Sequence, residues 1–305
     1  MRAFIFPGQG SQSVGMGLEE YRERGRVRDI FDRANGVLGY RLSDVMFEGP
    51  VEKLTATEHA QPALFIHSLA LYDMLESPEP AMAAGHSLGE YAALTAAGAI
   101  PFDDALRLVD ARSRAMAEAG SERPGTMGAI IGLDDDVVAG ICARISEGDR
   151  IVVPANYNSD GQVVVSGTVE GVRGALEEAK GAGARMAREI NVSGAFHSPL
   201  MEPAAEKFSE ALADAPIGDA RFPVYMNAVA EPVTDGGEIR ELLRKQLTSP
   251  VLWTQSVNRM IADGATEFIE VGAGNVLQKL VSRISRTVTT SGVATMEDVD
   301  RFNEN

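Results

Sequence analysis

The chain has 305 residues, enough to bury one large core or a large core with a smaller insert. Its 44 acidic against 28 basic residues leave a formal charge of -16, which argues against nucleic acid or an anionic membrane surface as a main partner, since both call for a basic footprint. The sequence has no run of about 18 apolar residues to span a bilayer, its opening MRAFIFPGQG turns to glycine and glutamine too early for a signal peptide, and the lone Cys142 allows no internal disulfide, which fits a reducing cytoplasm.

Residues 3–7 read as a strand running into a glycine-rich loop, and residues 64–75 as a helix ahead of a strand at Met82. That strand enters Gly85-His86-Ser87-Leu88-Gly89, the pattern of a nucleophile elbow. A serine on a sharp strand-to-helix turn projects its hydroxyl, and the positions two before and two after it must lack a side chain. Gly85 and Gly89 meet that demand, so Ser87 reads as a catalytic serine. A second helix follows over residues 103–119. From residue 126 the order becomes strand (127–131), helix (135–146), strand (151–155), strand (162–166), helix (170–182) and strand (184–190), with Asp160-Gly161 as a hairpin turn. This is the βαββαβ order of a ferredoxin-like module, placed at residues 125–192. Near the C-terminus, the strand Glu267–Val271 enters a Gly272-Ala273-Gly274 turn and the helix Val276–Ile284. Alternating strands and helices at both ends predict an α/β core with a parallel sheet. Cys142 shares a helical stretch with Val137, Val138 and Ile141 and reads as packing.

Two glycine-rich loops invite a nucleotide reading and both fail it. A dinucleotide fingerprint beginning at Gly8-Gln9-Gly10 needs its third glycine where Ser13 stands, and Gly272-Ala273-Gly274 fails likewise at Leu277. Gly8 and Gly10 better serve close approach of a backbone amide to a substrate oxygen, as in an oxyanion hole.

A serine nucleophile needs a base, and the candidates are His59, His67, His86 and His197. His86 adjoins Ser87, but neighbours in an elbow point in different directions, so it reads as structural. His59 and His67 have no ligand-like spacing, and no metal is expected. His197 precedes Ser198, a good helix N-cap, and Pro199, a good first helical residue. The positive end of that helix dipole would favour the neutral imidazole a general base requires. Arg112 falls within the apolar stripe Ala105, Leu108, Val109, Ala115, Met116 and Ala119. A buried arginine must be paired, either with internal carboxylates or carbonyls or with a substrate carboxylate held by the two-pronged guanidinium. Helix geometry leaves both open.

Together, Phe6-Pro7-Gly8-Gln9-Gly10-Ser11-Gln12, Gly85-His86-Ser87-Leu88-Gly89-Glu90, Arg112, Gly194-Ala195-Phe196-His197-Ser198-Pro199-Leu200-Met201 and Gln246-Leu247-x-x-Pro250-Val251-x-Trp253 resemble the malonyl-CoA:acyl carrier protein transacylases. The resemblance spans nearly the whole chain, in order. It implies that Ser87 is acylated, that His197 is its base, and that backbone amides at Gln9 and Leu88 form the oxyanion hole. It further implies that Arg112 holds the free carboxylate of malonate, that Gln246 supports the site, and that Met116 and Phe196 meet the substrate. Phenylalanine before the histidine accompanies malonyl selection in related polyketide acyltransferases, so Phe196 points to malonyl. The implied fold is an α/β-hydrolase-like core, residues 1–124 and 193–305, carrying the ferredoxin-like insert. The dyad imidazole is then oriented by a backbone carbonyl rather than an acid. No cofactor is implied; the substrate is malonyl-CoA and the partner an acyl carrier protein. Two departures, Val271-Gly272-Ala273-Gly274 and Asp160, read as local turn variation.

The implied reaction is ping-pong: Ser87 takes the malonyl group from malonyl-CoA, then passes it to the carrier's phosphopantetheine thiol. A serine thioesterase or hydrolase, with water as acceptor, and an idle carrier-binding scaffold are the rival readings. The chain's own Met1 favours service in fatty-acid over polyketide synthesis. Because carrier proteins are acidic, docking calls for a local basic patch, for which Arg240, Arg244, Lys245, Lys279, Arg283 and Arg286 are candidates.

Overall fold

The computed structural model describes residues 1–78 and 80–304. Its strands, in chain order, are β1 (Arg2–Phe6), β2 (Met82–Gly85), β3 (Gly125–Ile131), β4 (Val152–Ser159), β5 (Gln162–Thr168), β6 (Met186–Ile190), β7 (Val224–Met226), β8 (Glu231–Val233), β9 (Glu267–Val271) and β10 (Thr289–Val293). One sheet has the order β10-β9-β1-β2-β7-β8 and is parallel except for β8, which returns antiparallel beside β7. The alternation of strand side chains divides its core in two. Phe4, Phe6 and Ala83 pack with Leu64 and Leu106 on one face, while Ala3, Ile5 and Ala84 pack with Trp253, Val257 and Leu280 on the other. Both faces of β1 and β2 are therefore covered, as parallel strands require.

The second sheet, β4-β5-β3-β6, is antiparallel. Ile130, Val163 and Val165 pack beneath the helices Asp135–Ile145 and Val169–Gly181 through Val138, Ile141, Val172 and Leu176. Met127 and Val164, of opposite parity, face the main body.

The structure moves several expected boundaries. The helix expected over residues 64–75 spans Thr57–Asp73 and carries Pro62 inside it. Proline lacks the amide an interior helical turn needs, which is why the sequence reading starts the helix beyond it. Strand β4 runs four residues past the expected end at Ala155, although Pro154 lies within it. Proline is tolerated there because β4 is an edge strand. β7 and β8 have three residues each, too few to display a period, and they and β10 escape the sequence reading. No described helix is long and apolar enough to cross a membrane.

Candidate active site

The parallel partners Phe6 and Gly85 bring the carboxyl ends of β1 and β2 side by side, where open α/β sheets bind ligands. The loop after β2 turns at once into the helix Gly89–Ala96. Ser87 occupies the left-handed region at φ +51°, the strained conformation of an elbow. Side chains flanking it are excluded. A Cβ on Gly85 would lie 1.9 Å from the Gly89 carbonyl carbon, and one on Gly89 would lie 2.1 Å from the Phe6 carbonyl oxygen.

A cavity of about 370 Å³ opens over Ser87. Gln9, Leu88, Met116, Phe196 and His197 line it from the main body, and Met127, Asn156, Asn158 and Val164 line it from the antiparallel sheet. His197 Nε2 is 2.8 Å from Ser87 Oγ. On its other side Nδ1 meets the backbone carbonyls of Gln246 (3.0 Å) and Ser249 (3.1 Å). Carbonyls only accept, so Nδ1 carries the proton and Nε2 is free to take the serine proton. Among the described residues, no carboxylate is hydrogen-bonded to the ring. Burial, reinforced by the nearby Arg112 charge, pushes the His197 imidazole down to about 3 and keeps it neutral. The expected helix N-terminus is present as one 3-10 turn, Pro199–Met201, with Ser198 Oγ accepting from Leu200 N–H. The turn runs directly into the helix Glu202–Asp214, and burial leads the shift.

Arg112 is fully buried on the helix Phe102–Glu122. Its Nη1 donates to Gln61 Oε1 (2.5 Å), and its Nη2 donates to Gln246 Oε1 (2.9 Å) and to Ser87 Oγ (3.0 Å). Neutral amide oxygens hold the guanidinium, and no carboxylate of the described residues is hydrogen-bonded to it. It also lies 5.6 Å from the centre of the Tyr91 ring. The side-chain carbonyls of Gln61 and Gln246 are the internal set that the sequence left open, and the guanidinium reaches the nucleophile besides. Among the described residues, the backbone N–H groups of Gln9 and Leu88 donate to no protein acceptor and both residues line the cavity, an arrangement open to an incoming oxyanion.

His86 Nε2 donates to Asn158 Oδ1 at 2.8 Å, tying the elbow to β4, in keeping with a structural role. Of the basic docking candidates, Arg240 is committed elsewhere: it donates to the carbonyls of Leu212, Ala213 and Ala215 at the end of the helix Glu202–Asp214. Arg244 pairs with Glu241, and Arg283 donates to Gln162 Oε1. Among the described residues no three His, Cys, Asp or Glu side chains are grouped as a metal needs.

Besides Asn158, sequence reasoning missed three residues. Gln61 comes into place because its helix begins before Pro62. Asn227 Oδ1 accepts the Ser87 N–H (2.7 Å) and its Nδ2 donates to the Gly85 carbonyl (2.7 Å), strapping the elbow. Glu90, buried beneath the serine, accepts from Asn227 N–H and Gln246 Nε2. Burial raises the Glu90 carboxyl's pKa, opposed by these two donors and by the Arg112 charge. A donor on each oxygen is the pattern of the carboxylate form.

The acyl transferase domain family matches residues 3–301. The malonyl CoA-acyl carrier protein transacylase of Bacillus subtilis (strain 168) is 44% identical over 300 residues, covering 98% of this chain and 95% of its own. That of Staphylococcus aureus (strain MRSA252) is 41% identical over 303 residues, 99% of this chain and 98% of its own. Among solved structures, the Coxiella burnetii malonyl CoA-acyl carrier protein transacylase superposes with a TM-score of 0.95 at 39% identity, covering 99% of this chain and 96% of that one. A malonyl-transacylase in complex with a type II PKS acyl-carrier protein gives 0.96 at 39%, covering 100% and 99%. The chain belongs to the acyl transferase domain family, and within it to the malonyl CoA-acyl carrier protein transacylases.

Proposed function

We propose that this chain transfers the malonyl group of malonyl-CoA to the phosphopantetheine thiol of an acyl carrier protein through a malonyl-Ser87 intermediate. The observation that carries the reading is the Arg112 guanidinium, fully buried, held by neutral amides and 3.0 Å from Ser87 Oγ. A buried guanidinium beside a nucleophile, with only neutral groups in direct contact, favours an acyl group ending in a carboxylate.

In the first step His197 Nε2 takes the Ser87 hydroxyl proton while Oγ attacks the thioester carbonyl. The Gln9 and Leu88 amides receive the oxyanion. The intermediate collapses, the C–S bond breaks, and the CoA thiolate leaves with the proton from His197. In the second step the carrier thiol gives its proton to His197, attacks the acyl-serine, and Ser87 recovers the proton as it leaves. Arg112 orients the malonyl carboxylate throughout, supported by Gln246, while Met116 and Phe196 bound the acyl pocket. The protein supplies every group this sequence needs, so no cofactor is invoked. We take residues 1–124 and 193–305 as an α/β-hydrolase-like core and 125–192 as a ferredoxin-like insert, a reading supported by the βαββαβ order and the antiparallel sheet. The reaction is assigned to the cytoplasm and to fatty-acid synthesis. The relative in complex with a type II PKS carrier favours the same transfer in polyketide synthesis as a second reading.

Arg112→Ala tests the assignment. Two charge-assisted hydrogen bonds to the malonyl carboxylate, each about 1.5–3 kcal/mol, disappear for malonyl-CoA but were never made to acetyl-CoA. Malonyl loading of Ser87 should fall about 10²-fold or more relative to acetyl loading; equal loss of both would sink the role.

A further inference from the structure

Glu90 touches neither the cavity nor the reacting atoms, yet it lies at the centre of the hydrogen bonds that place Arg112. Its Oε1 accepts the Asn227 backbone N–H at 2.5 Å and its Oε2 accepts from Gln246 Nε2. Gln246 Nε2 also donates to the Ser87 carbonyl at 3.0 Å, and Gln246 Oε1 accepts Arg112 Nη2 at 2.9 Å. A side-chain amide has two donor hydrogens on one end and an acceptor on the other, so this amide is satisfied in one orientation only. We propose that Glu90 is a positioning residue for malonyl selection: it fixes the polarity of the Gln246 amide, and through it the seat of Arg112 beside Ser87. The inference rests on Arg112 being the malonyl carboxylate's partner.

The consequence follows from donors and acceptors. In Glu90→Gln, the single amide oxygen is drawn to the Asn227 N–H, whose backbone position is fixed. The new NH2 group then faces Gln246 Nε2, donor against donor. If Gln246 rotates to offer its oxygen to residue 90, its NH2 meets Arg112 Nη2, and its oxygen turns on the Ser87 carbonyl. Either arrangement unseats Arg112, while the His197 contact, made to the Gln246 backbone carbonyl, is untouched by the amide's orientation.

The experiment loads wild type, Glu90→Gln, Arg112→Ala and the double variant from malonyl-CoA and, separately, acetyl-CoA, reading the acyl-serine adduct by single-turnover kinetics. Glu90→Gln is expected to lower the malonyl-to-acetyl rate ratio about tenfold or more, appearing in KM for malonyl-CoA more than in kcat. In the Arg112→Ala background the same change should leave the ratio where Arg112→Ala alone puts it, because both act through one group. Equal loss for both acyl groups, or an additive effect in the double variant, overturns the inference. Should Glu90→Gln fail to fold, Glu90→Asp serves: one methylene shorter, it cannot reach both the Asn227 N–H and Gln246 Nε2, and an unchanged ratio there would overturn it too. A wild type that takes no malonyl at all would instead refute the transfer reading itself.

Discussion

Asn227 straps the elbow, and Asn227→Leu measures how far the nucleophile's geometry depends on that strap. Ser87 at φ +51° is a conformation costing on the order of 1–3 kcal/mol, held by the surroundings. Asn227 is 1% exposed and makes two side-chain bonds, each of 2.7 Å, to the Ser87 N–H and the Gly85 carbonyl. Leucine has the same branched outline and is somewhat bulkier, so it leaves no room for a water to replace the lost amide. Two buried backbone groups go unpaired, at about 1–3 kcal/mol each, and the expected loss is roughly 4 kcal/mol. Urea denaturation reads it as a lower midpoint at constant slope. Acylation of the remaining folded protein should also slow by about 10²-fold, since a drift of ~1 Å in Ser87 Oγ breaks its alignment with His197 and Arg112. Stability within about 0.5 kcal/mol of wild type, with acylation unchanged, would refute the strap.

Three other changes carry expectations. His67 is buried with Nδ1 unpartnered, and burial pushes its imidazole down to about 4 from 6.5. The folded state thus refuses a proton that the unfolded chain accepts, so stability is full above pH 6.5 and is lost as pH falls toward 4, at about 1.4 kcal/mol per pH unit. His67→Leu should flatten the melting temperature over that window relative to wild type; identical slopes would contradict this. Phe196→Ser enlarges the acyl pocket and should raise methylmalonyl over malonyl loading by about tenfold, within the 1–3 kcal/mol a methyl is worth, as competition between the two CoA esters would show. Glu270 accepts the Leu277 and Gln278 N–H groups at the start of the helix Val276–Ile284. Glu270→Ala should cost about 1–3 kcal/mol in urea denaturation without changing the malonyl-to-acetyl ratio, in contrast to Glu90→Gln.

The parts of the fold and site legible in the sequence are those dictated by local geometry. The elbow is one, because Gly85 and Gly89 are required by contacts under 2.2 Å with backbone. Arg112 is another, because charge on an apolar helical stripe demands an explanation wherever the helix packs. Gln61 is hidden by a proline that the helix tolerates, and Asn158 by a strand that passes through Pro154. Asn227 and Glu90 are polar residues whose partners lie 137 to 156 positions away, and no local pattern reports such a pairing. His197 is visible as a histidine beside a helix start, but the carbonyls that orient it come from residues 49 and 52 positions on, and burial leads its shift.

The central claim, malonyl transfer through Ser87, is tested most directly by intact-mass spectrometry after brief mixing with an equimolar pool of malonyl-, methylmalonyl- and acetyl-CoA. Ser87→Ala is run in parallel. The account predicts a malonyl adduct on the wild-type chain alone, discharged onto added holo-acyl carrier protein. No adduct, or one that decays to free malonate before carrier is added, would contradict it.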